Sequence, residues 1–392
     1  MPPRSPMEVK PDIETFAKIK VLGIGGSGGS AINRMMQQKI RGIEFVAVNT
    51  DAQALHHNVA PVKLHIGKTT TRGLGAGMDP DIGRKAAEED QDEIRELLKD
   101  SDMVFITCGL GGGTGTGAAP LIAEIAKDLG ALTVAVVTKP FSFEGVQRRA
   151  IADHGYNELA GQVDTIISIP NDRLLQIIDK KTSLLESFQV VDDVLRQGIQ
   201  GIAELITVPG LINVDFADVK AIMKDQGTAL MGIGRATGET RAVDAAKAAI
   251  DSPLLEVPID GARGILFTIT GGQNMSMYEV NEAARVITQS ADQNAKIIFG
   301  AVIDEALKDE LKVTVIATGF GKGGGARAPK KVMAAGSASF DTSLPVERSK
   351  PAVSSAPSAQ ASTFTPPVSR PAPKPAPEDD LEIPAFIRKK ML

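Results

Sequence analysis

The sequence predicts an α/β protein: a doubly wound parallel-sheet domain, a long central helix, a second, smaller mixed α/β domain and a disordered C-terminal tail. Three observations predict it. From residue 18 to about 180, short apolar runs alternate with amphipathic stretches, the pattern of a parallel sheet covered by helices on both faces. One helical pattern then continues from 182 to 210. After Phe320 the composition falls to Gly, Ala, Pro, Ser and Lys, which cannot build a core.

The elements follow in order. KIKVLGIG reads as a buried strand and SAINRMMQQ as the helix behind it; EFVAVNTD (44–51) and PVKLHIG (61–67) are strands. DPDIGRKAAEEDQDEIRELLKD (79–100) reads as one long helix with Pro80 in its first turn. MVFITCGL is a strand, 118–129 a helix, LTVAVVTKP a strand, FEGVQRRAIADHGYNELAGQ a helix, and TIISIPND (165–172) closes a domain spanning 18–181. Residues 1–17 read as a flexible arm. In the central helix, 182–210, the apolar positions Leu184, Leu185, Phe188, Val191, Leu195, Ile199, Ile202 and Ile206 keep i, i+3/i+4 spacing. Pro209 and Gly210 end it. A helix of roughly 35 Å can span two domains, and the second covers 211–319. Residues 320–378 read as a disordered linker. The last stretch, 379–392, regains Leu381, Ile383, Phe386 and Ile387, the pattern of a docking peptide on a tether.

Composition excludes several classes. A net charge of −5 over 392 residues leaves no broad basic face for nucleic acid. The single Cys108 rules out an internal disulfide and a multi-thiolate metal centre, and reads as core. The four histidines show no metal-ligand spacing. No apolar run approaches the ~20 residues of a membrane helix, and the start lacks a signal-peptide apolar region. A soluble, cytoplasmic protein is expected, without nucleic-acid partners and without direct membrane insertion.

The glycines carry the chemistry. Gly23, Gly25 and Gly28 satisfy G-x-G-x-x-G between a strand and a helix, with Asp51 further on, which by itself fits a nicotinamide-dependent oxidoreductase. A tight turn without ligand fits as well. A second cluster, GLGGGTGTG (109–117), stands before another helix, and GLGAG (73–77) before a third. Glycine lets backbone approach an anion closely, and helix N-termini supply N–H donors. Three such turns suit a polyphosphate held mainly by backbone, and a dehydrogenase uses one. GKT (67–69) resembles the end of a Walker A loop, but Val62 stands where its first glycine belongs.

GGGTGTG (111–117), with GIGGSGGS (23–30), VNTDAQAL, GLGAG, VVTKPFSFEG and NVDFADV (213–219), resembles the tubulin/FtsZ family of cytoskeletal GTPases almost continuously over 18–319. The resemblance implies GTP and GDP as ligands, Mg²⁺ held through the phosphates, and head-to-tail homopolymers at a mid-cell division site beneath the inner membrane. It assigns Gly25, Gly26, Ser27, Gly28, Gly29 and Ser30, together with Gly109, Gly111, Gly112, Gly113, Thr114, Gly115, Thr116 and Gly117, to the phosphates, with Gly77 nearby. Asn49, Asn171, Phe188 and Asp193 would face ribose and guanine, whose N1–H and N2–H₂ a carboxylate or amide can pair. Glu144 and Arg148 would reach the nucleotide, or form an ordinary i, i+4 ion pair. Phe188 fits a core position equally well. Ser30 stands where the family usually has Asn, and Asp192 where Asn is common.

Neither main phosphate loop carries a charged side chain, yet phosphoryl transfer to water needs a group that orients the nucleophile. Asp215 and Asp218 share one face at a helix start, preceded by Asn213; Asp215 also fits a plain N-cap. By resemblance this segment completes the site of the next subunit, and residues 380–392 bind membrane-tethering and regulatory division proteins.

Overall fold

The computed structural model describes residues 17–38, 40, 42–176, 178, 181–208, 210–255, 258–259 and 261–320. The expected arm, linker and docking peptide fall almost wholly outside them. The first half runs β1 (Ile19–Ile24), α1 (Gly25–Gln37), β2 (Ile43–Asn49), α2 (Ala52–His57), β3 (Val62–His65), α3 (Lys68–Thr71), α4 (Pro80–Glu89), α5 (Gln91–Leu98), β4 (Met103–Gly109), α6 (Gly113–Asp128), β5 (Leu132–Lys139), α7 (Val146–Gln162), β6 (Thr165–Pro170) and α8 (Asn171–Leu174). Central α9 (Leu184–Thr207) leads to α10 (Phe216–Met223), β7 (Gly227–Thr237), α11 (Arg241–Ile250), β8 (Gly264–Gly271), α12 (Met277–Gln289), β9 (Lys296–Ile303) and β10 (Glu310–Thr318).

The strands make one sheet in the order β3-β2-β1-β4-β5-β6-β7-β10-β8-β9. All pairings from β3 to β7 are parallel, β10 is antiparallel to both β7 and β8, and β8–β9 is parallel. The two halves therefore join edge to edge, through Thr165–Gly227, Ile166–Thr228 and Ile167–Ala229. Strands β4 and β5 are buried almost throughout because helices cover both faces. Helix α9 buries Val191, Leu195, Ile199 and Ile202 against Val134 and Val136 of one half and Met231 and Ile316 of the other, in one continuous core. Helices α4 to α7 pack on the opposite face of the first half.

Two local expectations change. The helix expected over 79–100 breaks at Asp90 (φ −111°, ψ 28°) into α4 and α5, where the Asp90 carboxylate accepts from Gly67 N–H at 2.6 Å. The two glycine clusters are mostly helix rather than flexible loop: α1 begins at Gly25 and α6 at Gly113.

Candidate functional site

Because β1, β2, β4, β5 and β6 are parallel, the connections after them leave the sheet at one edge, where open α/β sheets bind ligands. A cavity of about 490 Å³ lies there, walled by Ile24 to Ser27, Asn49, Gly75 to Met78, Gly109, Leu110, Gly112 to Gly115, Thr138, Asn171 and the first turns of α9. Helices α1 and α6 both point their N-termini at it, and neither has a side-chain cap. Their first-turn N–H groups have no intrahelical partner and are open to an anion. By contrast α2, α4 and α10 are each capped by an aspartate.

The glycines divide into two groups. At Gly26 and Gly112 a Cβ would meet nothing within 4 Å, and both line the cavity. Others let elements approach: a Cβ on Gly28 would lie 2.4 Å from Thr107 O, and one on Gly117 1.9 Å from Pro80 O. Gly28, Gly29, Gly111, Thr116 and Gly117, all assigned to the phosphates by sequence, do not line the cavity. Gly29 faces Asn58, Gly111 packs on Arg148 at φ +94°, and Thr116 Oγ1 accepts from Gly111 N–H at 2.9 Å. Gly113 lines it, but its Cβ would strike Ala76 and Asp79. Thr114 lines it while sharing a buried 2.6 Å hydroxyl contact with Thr50. Gly25, Ser27, Ser30, Gly77, Gly109 and Gly115 line it as well.

At the other end of the cavity Phe188 is 41% exposed, so the alternative of a core position fails; its ring meets Phe141 edge-on at 5.8 Å. Asn171 is buried and lines the cavity, and its Oδ1 has no hydrogen-bond partner. It is an acceptor awaiting a donor. Asn49 also lines the cavity, its Oδ1 taking Asp51 N–H at 3.2 Å. Glu144 and Arg148 both line the cavity and pair at 3.1 Å, so the ion-pair alternative and the cavity position hold together. Arg148 Nε is buried without a partner.

Asp193 does not belong to this set. Its carboxylate takes Arg196 Nε at 2.7 Å and Gln197 Nε2 at 2.5 Å, facing away from the cavity. Asp192 lines the cavity instead. Successive helical residues differ by about 100° in direction, so a one-residue error is enough to turn a side chain off the cavity face. Burial pushes the Asp192 carboxyl up to about 6, opposed by the nearby Arg34 cation. Sequence reasoning also missed Ala54, Met78, Leu110, Thr138, Pro140 and Val191 in the wall, and noted Asp51 there only as part of the dinucleotide fingerprint; Gly75 and Ala76 sat unclaimed within the quoted GLGAG. Cys108 is buried, and burial raises its thiol to about 12, as core placement implies.

Asn213, Asp215 and Asp218 lie elsewhere. Helix α9 starts at the cavity and ends with Thr207 against Gly42, just before the amino end of β2. Its 24 residues span roughly 36 Å. Asp215 does cap α10, accepting from Asp218 N–H at 2.8 Å, and Asn213 Oδ1 accepts from Gly210 N–H at 2.6 Å. The Asp218 side chain has no partner among the described residues.

A model of the tubulin/FtsZ family GTPase domain matches residues 18–179, and one of the FtsZ family C-terminal domain matches 227–321. A dimeric, empty FtsZ from M. jannaschii is 50% identical over 78% of this chain and 89% of its own, with a TM-score of 0.75. The chain belongs to the FtsZ family. Two proteins from Haloferax volcanii share the fold at lower identity: a CetZ2 protofilament with GTPγS bound (21%, TM-score 0.65) and a GDP-bound CetZ1 monomer (20%, TM-score 0.68). They cover 76% and 78% of this chain and 92% and 95% of their own. The protein is thus a polymerising, GTP-hydrolysing cell-division protein of this family. An oxidoreductase finds no support here. Among the described residues no helix is long and apolar enough to cross a membrane.

Proposed function

We propose that each GTP is hydrolysed in a site shared by two subunits, with the nucleotide on the carboxyl edge of one sheet and Asp215, Asp218 and Asn213 supplied by the next. The observation that carries this reading is the separation of the two sets within one chain by the length of α9. A chain that cannot bring its carboxylates to its own cavity can bring them to a copy's. The exposed apolar residues support the same arrangement. Leu74, Phe143 and Val146 crowd the cavity side, and Leu211 and Ile303 the side of the aspartates. Contact between two different faces is heterologous and builds open filaments.

Within the cavity, the first turns of α1 and α6 and the 75–78 turn hold the phosphates through backbone N–H groups. Mg²⁺ would be held through those phosphates, since among the described residues no three acidic, His or Cys side chains converge; it would offset phosphate charge. Phe188 lies against the base, the orphan Asn171 Oδ1 accepts from it, and Asp192 pairs with guanine N1–H and N2–H₂. Ser30 and Asn49 face the ribose, and Arg148, held by Glu144, approaches the phosphates. Asp215 spends one oxygen capping α10; its other oxygen and the unpaired Asp218 orient the attacking water for in-line displacement at the γ-phosphorus. The filaments form the ring at the division site beneath the membrane, tethered through residues 380–392.

The deciding measurement is GTPase rate per subunit against protein concentration. It should vanish below a critical concentration, and Asp215→Ala should bind GTP while hydrolysing it at least tenfold more slowly. A rate independent of concentration would return the catalytic groups to the same chain.

A further inference from the structure

Helix α10 carries Asp215 and Asp218 at its start, but its constraints are at its end. A surface helix can leave its last carbonyls to water. Here two buried hydroxyls take them. Thr165, the first residue of β6, donates to Met223 O. Thr318, the last of β10, donates to Ile222 O at 3.1 Å. One hydroxyl belongs to each half of the sheet.

The chain beyond the helix is held as well. It turns through Asp225, at φ +54°, and the Asp225 N–H approaches Asp164 Oδ1 at 3.4 Å while Gly227 N–H donates to Asp164 O at 2.9 Å. The Asp164 carboxylate is 4% exposed, also accepts from Thr133 N–H at 2.9 Å, and faces Lys127 Nζ at 3.5 Å. Lys127 closes the group by bonding Asp225 at 3.1 Å. Val219, Ile222 and Met223 already bury the inner face of α10, and these bonds add directional holds at its last turn.

We propose that Thr165 and Thr318, with Asp164 behind them, are positioning residues for hydrolysis: they set the pitch of α10 and thereby aim Asp215 and Asp218 at the neighbouring subunit's nucleotide. The proposal rests on the reading that those carboxylates act in trans. Its physical basis is leverage. Eight residues of helix span about 12 Å, so a tilt of about 10° at the last turn moves the first by about 2 Å. Misplacement by about 1 Å can cost a hundredfold in rate.

The test isolates a subunit's carboxylates from its own pocket. A limiting amount of donor protein is co-assembled into a large excess of Asp215→Ala subunits. Those supply intact pockets, and the slow release measured for them alone is subtracted, so the increment in phosphate release reports the donor's Asp215 and Asp218. Wild-type donor should activate the mixture in proportion to the amount co-sedimented. Thr165→Val donor should co-sediment equally and bind GTP with unchanged affinity, yet activate about tenfold less, and Thr165→Ser should restore activation. Equal activation by Thr165→Val and wild type would overturn the positioning role while leaving catalysis in trans intact. Failure of wild-type donor to activate at all would overturn the trans reading and the proposal with it. Thr318→Val, acting on the adjacent carbonyl, carries the same comparison if Thr165→Val does not fold, as judged by its GTP binding.

Discussion

Asp192 and Asp193 show how much turns on one residue. Their difference gives a direct test: Asp192→Asn should weaken GTP binding by about 1–3 kcal/mol, the cost of losing a charge-assisted pair, while Asp193→Asn should leave it nearly unchanged. The pH response has two opposite signs. Guanine pairing needs the ionised carboxylate, so GTP affinity should fall as pH drops through about 6. For the empty protein the folded value lies above the ordinary 3.8, so the contribution to stability is present at low pH and lost as pH rises through about 6. Asp192→Asn should therefore raise the unfolding temperature of the empty protein at pH 7.5 while weakening its ligand; a lowered temperature would contradict the burial argument. The glycines divide in the same way. Gly112→Ala should fold normally and lose nucleotide affinity, since its methyl enters only the cavity. Gly117→Ala should destabilise by about 1–3 kcal/mol, because α4 backbone stands in its place. Calorimetry and a nucleotide titration on each variant separate the two effects. Sequence reveals that a glycine is there but not which atoms it approaches, so cavity and packing glycines looked alike.

At the scale of elements, strands and amphipathic helices were legible because burial on one or both faces dictates their periodicity, and the central helix came within a few residues of its observed ends. Its start is set by a capping box between Ser183 and Glu186. What periodicity could not show was the break at Asp90, since α4 and α5 continue each other in pattern. The break has a tertiary cause. Asp90 holds Gly67, and Glu89 accepts from Thr69 N–H at 2.7 Å and from Thr70 N–H and hydroxyl at 3.0 and 2.8 Å. GKT, which resembles only the end of a Walker loop, thus binds internal carboxylates that fix the segment entering the 75–78 turn. The Thr69 backbone bond, then Thr70, hold Glu89 down to about 2 from 4.5. Stabilisation from this contact is complete above the ordinary value and is lost only as pH falls towards about 2. The Thr69 and Thr70 amide resonances should show no titration between about pH 5 and about 3.5, where free glutamates ionise. A midpoint near 4.5 would mean that the clasp is not formed in solution.

For the whole molecule, two domains were legible but their union into one sheet was not. Pairing β6 with β7 depends on distant backbone edges meeting, and neither strand's own sequence names its neighbour. That union places the cavity and the Asp215 segment at opposite ends of one body, the arrangement that the proposed head-to-tail contact needs. Each face can then be disabled alone. Val146, 86% exposed beside Glu144, lies on the cavity side, and Leu211, 63% exposed, on the aspartate side. Val146→Glu and Leu211→Glu should each bind GTP as a monomer and each fail to sediment or hydrolyse, because burying an unpaired charge at the contact costs several kcal/mol. Mixed in equal amounts, they retain one good face apiece. The intact aspartate side of Val146→Glu fits the intact cavity side of Leu211→Glu, and no third subunit can add at either end. The mixture should form a 1:1 dimer by analytical ultracentrifugation and recover GTPase activity in half of the pockets without any filament. Activity that returns only with sedimentable polymer would show that a pair of subunits does not complete the site, and that longer-range order in the filament is also required.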